Sequence, residues 1–83
     1  MPIHATVTLV NHRFFAALSD GRQLDREDVR KMADALFRAG VSAHDVSYEW
    51  GEGRRMITPG QQVAMRAEIR RLQSQVEGMH IAA

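Results

Sequence analysis

The chain is 83 residues long, with a formal net charge of +1 and no cysteine. That length holds one domain, residues 1–83, whose small core is only marginally stable, and oligomerisation is a common remedy at this size. The missing thiols exclude disulfides and thiolate metal sites, no apolar run approaches the ~20 residues of a membrane span, and no signal-peptide pattern opens the chain, so a cytoplasmic protein is the default expectation.

In chain order, Ile3 to Val10 reads as a strand, since Val7 and Leu9 alternate with Thr6 and Thr8 and β-branched residues dominate. Arg13 to Leu18 has two readings. Phe14 and Phe15 favour a strand returning through an Asn11-His12 turn. Ala16, Ala17 and the Phe14/Leu18 spacing favour a short helix capped by Asn11. Ser19-Asp20-Gly21 closes the segment in either case.

Asp25 to Ala39 reads as a helix. Asp25 suits the N-cap, with Glu27 and Asp28 in the first turn, where the helix dipole favours anions. Val29, Met32, Ala33, Leu36 and Phe37 form one apolar stripe. Glu27 with Lys31, and Asp34 with Arg38, are i,i+4 pairs in the better orientation. Gly40 fits the position after the C-cap, with Val41 ready for the hydrophobic contact of a Schellman motif.

Val46, Tyr48 and Trp50 alternate with Ser47 and Glu49, giving a half-buried strand. Gly51-Glu52-Gly53 then reads as a hairpin loop, with Arg54 to Ile57 as the returning strand. Thr58-Pro59-Gly60-Gln61 opens a long helix running to about Met79, with Thr58 and Gln61 as a capping box and Pro59 at the first helical position. Met65, Ile69, Leu72, Val76 and Met79 make a coiled-coil-like seam along it. His80 to Ala83 should fray.

The expected fold is therefore α+β: a small antiparallel sheet of three or four strands, two helices packed on one face, and the order β(β)αββα. Val7, Leu9, Val29, Met32, Leu36, Phe37, Val46, Tyr48, Trp50 and Ile69 are the expected core.

Charge is unevenly spread. From Asp20 to Glu52 there are eight acids against five bases, and from Gly53 onward five arginines against Glu68 and Glu77. Either the two halves dock on one another, or the second presents a basic face to an acidic protein or to nucleic acid. Arg66 and Arg70 sit at i,i+4 beside the seam and Arg71 lies around the other side. Leu72, Val76 and Met79 continue the seam, and with these arginines form the expected partner-binding set. Residues flanking an apolar seam are where helical partners are selected by charge. Arg54 and Arg55 on the hairpin are the candidate nucleic-acid contacts.

Residues that could carry chemistry do not assemble. His4, His12, His44 and His80 lack helical metal-ligand spacing, and there is no HExxH. Around Gly21 a calcium loop would need ligands at Ala16 and Leu18, which cannot serve. No catalytic set, metal or cofactor is expected.

Two resemblances bear on function. Pro2-Ile3 opening a strand resembles the tautomerase superfamily, small proteins that use an amino-terminal proline as acid or base within a β-α-β unit. That resemblance implies a tautomerase-like enzyme acting through Pro2 once Met1 is removed, with Val46 to Trp50 as the second strand. An ordinary chain start, with proline at a strand edge, accounts for the same residues. Separately, strand-helix-helix over the first 39 residues resembles the ribbon-helix-helix regulators. Ala5 to Val10 would be the ribbon, His12 to Leu18 the first helix and Arg26 to Phe37 the second, implying a small DNA-binding transcriptional regulator. Glu27 and Asp28 would then face phosphates, which is the wrong charge. The favoured expectation is a non-enzymatic protein-binding module acting through the long helix and its arginines as a homodimer. A small inhibitor or accessory factor would also fit the size.

Overall fold

A computed structural model describes residues 2–49 and 57–82, with side chains described through Val76. Strand β1 (Ala5–Val10) pairs antiparallel with β2 (Arg13–Leu18), and β2 pairs antiparallel with β3 (Gln23–Arg26). Helix α1 (Val29–Arg38), a 3-10 turn at Ala43–Asp45, strand β4 (Val46–Tyr48) and helix α2 (Pro59–Ala82) follow. The sheet order is β3-β2-β1-β4. This is the expected small α+β domain with a long C-terminal helix.

Arg13 to Leu18 is a strand. Phe14, Ala16 and Leu18 are buried while Arg13, Phe15 and Ala17 are exposed, a period of two that no helix can satisfy. Asn11 and His12 both take positive φ, at 49° and 66°. Two left-handed residues make the tight hairpin turn whose twist matches the flanking strands. With β2 in place, the helix that the ribbon-helix-helix order requires over His12 to Leu18 does not form.

Strand β3 is absent from the expected order, and the helix expected from Asp25 starts later. Asp28 is the true N-cap, its Oδ1 accepting the Lys31 N–H at 2.7 Å. Asp25 sits in β3, where its carboxylate takes the Arg13 Nε–H at 2.7 Å. Several acids stand in this stretch, and any of them has the chemistry of a cap. The sheet decides among them: Leu24 lies opposite Ala16 and packs against the core, which holds the chain extended through Arg26.

The sheet is mixed rather than wholly antiparallel, because β4 runs parallel to β1, with Ala5 opposite Val46 and Val7 opposite Tyr48. Parallel neighbours need a crossover connection, and α1 supplies it. The expected returning strand at Arg54 to Ile57 lies outside the described residues except for Ile57, which is buried and is not in a strand.

Both helices cover one face of the sheet. Ala5, Val7 and Leu9 of β1 and Phe14, Ala16 and Leu18 of β2 meet Met32, Ala33 and Leu36 of α1 and Met65 and Ile69 of α2. Of the expected core, Val29 and Tyr48 are partly buried against this cluster, Phe37 is half-buried, and Trp50 lies outside the described residues.

Two predicted end motifs appear as expected. Gly40 has φ 92°; its N–H donates to Phe37 O and that of Val41 to Leu36 O, both at 3.0 Å, the Schellman pattern. Thr58 Oγ1 accepts from Gln61 N at 3.1 Å, and Gln61 Oε1 accepts from Thr58 N at 2.9 Å, a closed capping box.

Candidate functional site

Helix α2 has an inner side, two flanks and an outer end. Its inner side is buried at Met65 and Ile69. One flank faces β4 and the other faces α1. Beyond Gln73, Ser74, Gln75 and Val76 are exposed. At ~1.5 Å per residue the helix is about 36 Å long, against domain dimensions of 48 × 26 × 18 Å. The seam read from sequence is therefore two surfaces. Met65 and Ile69 belong to the core, whereas Val76 is 51% exposed.

The expected partner-binding residues part company in space. On the β4 flank, the Arg66 guanidinium lies 5.1 Å from the centre of the Tyr48 ring, within cation–π range. Arg70, one turn on, is exposed and forms no ion pair among the described residues. Arg71 points to the α1 flank, where its Nη2 and Nε both donate to the Glu68 carboxylate, at 2.5 and 3.2 Å. Arg30 of α1 stands 4.0 Å from the same carboxylate. Glu68 is accordingly held below the usual glutamate range, chiefly by the Arg71 hydrogen bonds. Leu72 is half-buried and lines a cleft of about 380 Å³ between the helices, together with Arg26, Arg30, Lys31, Asp34, Glu68 and Arg71. Met79 lies on α2, but its side chain falls outside the described set, as do Arg54 and Arg55 entirely.

Of the residues lining this cleft, Arg71 and Leu72 stand in the partner-binding set expected from the sequence, and Arg26 and Arg30 do not. Arg26 and Arg30 come from β3 and α1, and no local spacing places them opposite α2. The available signal was weak: Arg30 lies ~100° around α1 from Val29, at the edge of the apolar stripe.

Tyr48 has an environment of its own. Its hydroxyl oxygen is buried and makes no hydrogen bond among the described residues. Burial pushes its pKa above the ordinary 10.0, and the positive charge of Arg66 partly opposes that rise. The neutral phenol is thus favoured in the folded state. Unfolded chains give up the proton first as pH rises, so this contribution to stability is complete below pH ~10 and is lost as pH climbs through the folded-state value. Since the chain has one tyrosine, its ultraviolet titration is free of overlap. The midpoint should lie above that of the denatured chain, and Arg66→Gln should raise it further.

Among the described residues no helix covers the far face of the sheet. Thr6, Thr8, Val10, Phe15, Ala17, Gln23 and Glu49 border a shallow hollow of about 450 Å³, with Phe15 41% exposed. His4 Nε2 and Ser47 Oγ are hydrogen-bonded on the same face at 2.9 Å. His44 lies 3.6 Å from Asp45. Among the described residues no three histidine or carboxylate side chains converge as metal ligands. Nor is any helix there long and apolar enough to cross a membrane. Pro2 is exposed ahead of β1. The parallel β1–β4 pair is what a β-α-β unit needs, but the strands β2 and β3 are inserted between β1 and α1. No protein-family model matches the chain, and no curated protein or solved structure does either.

Proposed function

We propose that this protein is a non-enzymatic binding module that engages other proteins, and a second copy of itself, through the outer half of α2. The observation that supports this reading is the exposure of Val76 on a seam whose inner members, Met65 and Ile69, are wholly buried. On the same helix that anchors the domain, Ser74, Gln75 and Val76 are all exposed past the last buried residue of the seam. Leu72 and Val76 lie within about 40° of one another around the helix, so they form one ledge. Arg70 lies about 120° around the helix from Val76, on the β4 flank, and carries no intramolecular partner among the described residues. Covering an exposed valine is worth roughly 1.5–3 kcal/mol, and an antiparallel pairing of two α2 ends covers both copies at once.

Sedimentation equilibrium tests the self-association. At about 100 µM, well above ordinary interface affinities, the chain should be a dimer. Val76→Glu should return it to a monomer, with its unfolding midpoint unchanged at dilutions where the wild type is also monomeric. A wild-type monomer at that concentration would remove self-association from the reading.

A further inference from the structure

The cleft between α1 and α2 carries an excess of positive charge that its local pairs do not remove. Lys31 Nζ is bonded to Glu27 at 2.6 Å, and Arg38 Nε to Asp34 at 2.9 Å. Arg71 holds Glu68, which is the more buried partner at 17% exposure. Asp28 is turned to the start of α1, where it caps the helix. Two cations are left over. Arg30 reaches Glu68 only at 4.0 Å, beyond hydrogen-bond range, and its side chain is 80% exposed. Arg26 donates from Nη1 to the Asp25 carbonyl, an oxygen with no net charge, and has no carboxylate at ion-pair distance among the described residues. Both line the same hollow of about 380 Å³, and Leu72 gives it an apolar patch.

From this charge imbalance we infer that the cleft docks an acidic segment of a partner protein. A carboxylate settles on Arg30 and Arg26, and an apolar side chain lies on Leu72. The inference rests on reading α2 as the interaction helix and adds α1 and β3 as the opposite wall of its site. Guanidinium groups favour this occupant, because each presents a planar fork that fits a carboxylate with two parallel hydrogen bonds. A nucleic-acid backbone fits less well. Asp34 and Glu68 stand in the walls and would repel a continuous row of phosphates, whereas a peptide can alternate its charges with apolar groups. Glu68 also keeps Arg71 in place, so the site is partly organised before anything binds.

The test is a nuclear magnetic resonance titration of the full chain, labelled with nitrogen-15 and at its leucine methyls. The probe is a short peptide of alternating glutamate and leucine. A glutamine–leucine peptide and an oligothymidylate of equal length serve as comparisons at the same ionic strength. The acidic peptide should shift the Arg30 and Arg71 Nε–H signals and the Leu72 methyls, and should saturate. Arg26→Glu with Arg30→Glu should weaken it by about tenfold or more. Arg30→Gln alone, which keeps the side chain short of reversing charge, should weaken it about threefold and covers the case in which the double variant fails to fold. The proposal is overturned if the glutamine peptide binds as well, if the oligonucleotide binds more tightly, or if the shifts fall on Phe15 and Thr8 of the open sheet. Full-strength binding by the folded double variant, or by Arg30→Gln where the double variant does not fold, overturns it too. The Val76→Glu sedimentation result keeps the two readings apart. Peptide binding lost with dimerisation intact removes the cleft and leaves the module; binding kept by a chain that never dimerises supports the cleft and removes the dimer.

Discussion

Ile69→Ala should destabilise the domain by roughly 2–5 kcal/mol, while Val76→Ala on the same seam should move it by less than ~0.5 kcal/mol. Ile69 is completely buried, and its neighbours in the cluster come from the sheet and from α1. Removing its branched side chain loses the transfer energy of those methyl groups. It also leaves a cavity where the helix meets the core, and a rod held at both sides cannot easily settle into it. Domains of this size have little stability in reserve, so the variant should be largely unfolded well below the wild-type melting temperature. Val76 is 51% exposed and stands outside that cluster. Urea unfolding at concentrations where the chain is monomeric makes the comparison clean, since any stabilisation through self-association is then absent. Equal losses at the two positions would mean that the outer half of α2 docks on its own domain, and the exposed ledge would disappear as a binding surface.

What could be read from the residues, and what could not, follows the range of the interactions. The capping box of Thr58 with Gln61 and the Schellman turn at Gly40 close within six residues, so sequence order alone determines them. The apolar stripe of α1 is similarly local: Met32, Ala33 and Leu36 are buried as their spacing requires. Strand β3 was hidden because Gln23 to Arg26 holds a single apolar residue, and its extended state comes from pairing with β2. The direction of β4 was hidden for the same reason. A strand of three residues carries no mark of whether its neighbour will be β1, reached by crossover through α1, or a hairpin mate. For the site, the exposed character of Arg70 followed from its angle to the apolar seam, whereas Val76 shares that seam with the buried Met65 and Ile69 and spacing alone does not separate them. The fates of Arg66 and Arg71 did not follow either, since one depends on Tyr48 arriving beside α2 and the other on which way the helix rolls against α1.

That separation changes what charge reversal on the arginine flank should do. On the sequence alone, Arg66 and Arg70 are equivalent surface cations, and reversing both should leave the fold intact while abolishing partner binding. Arg66 is instead stacked on Tyr48. A cation over a ring face contributes about 0.5–1 kcal/mol at exposed sites, and a carboxylate in its place would meet the negative face of the ring. Arg66→Glu should therefore lower the melting temperature by several degrees on its own account, a change of that size being what ~1 kcal/mol produces in a small domain. Arg70→Glu is the clean variant. With no ion pair among the described residues to lose, it should melt with wild type, and any carboxylate that Arg70 meets in a partner becomes a repulsion. Recovery of bound protein in pull-downs from the native host should fall about tenfold or more for Arg70→Glu at unchanged stability. If Arg70→Glu melts early, the residue is holding the domain together through contacts of its own. If it melts normally and still recovers partner in full, binding is not on this flank, and the α1–α2 cleft with Arg26 and Arg30 is the surface left to carry it.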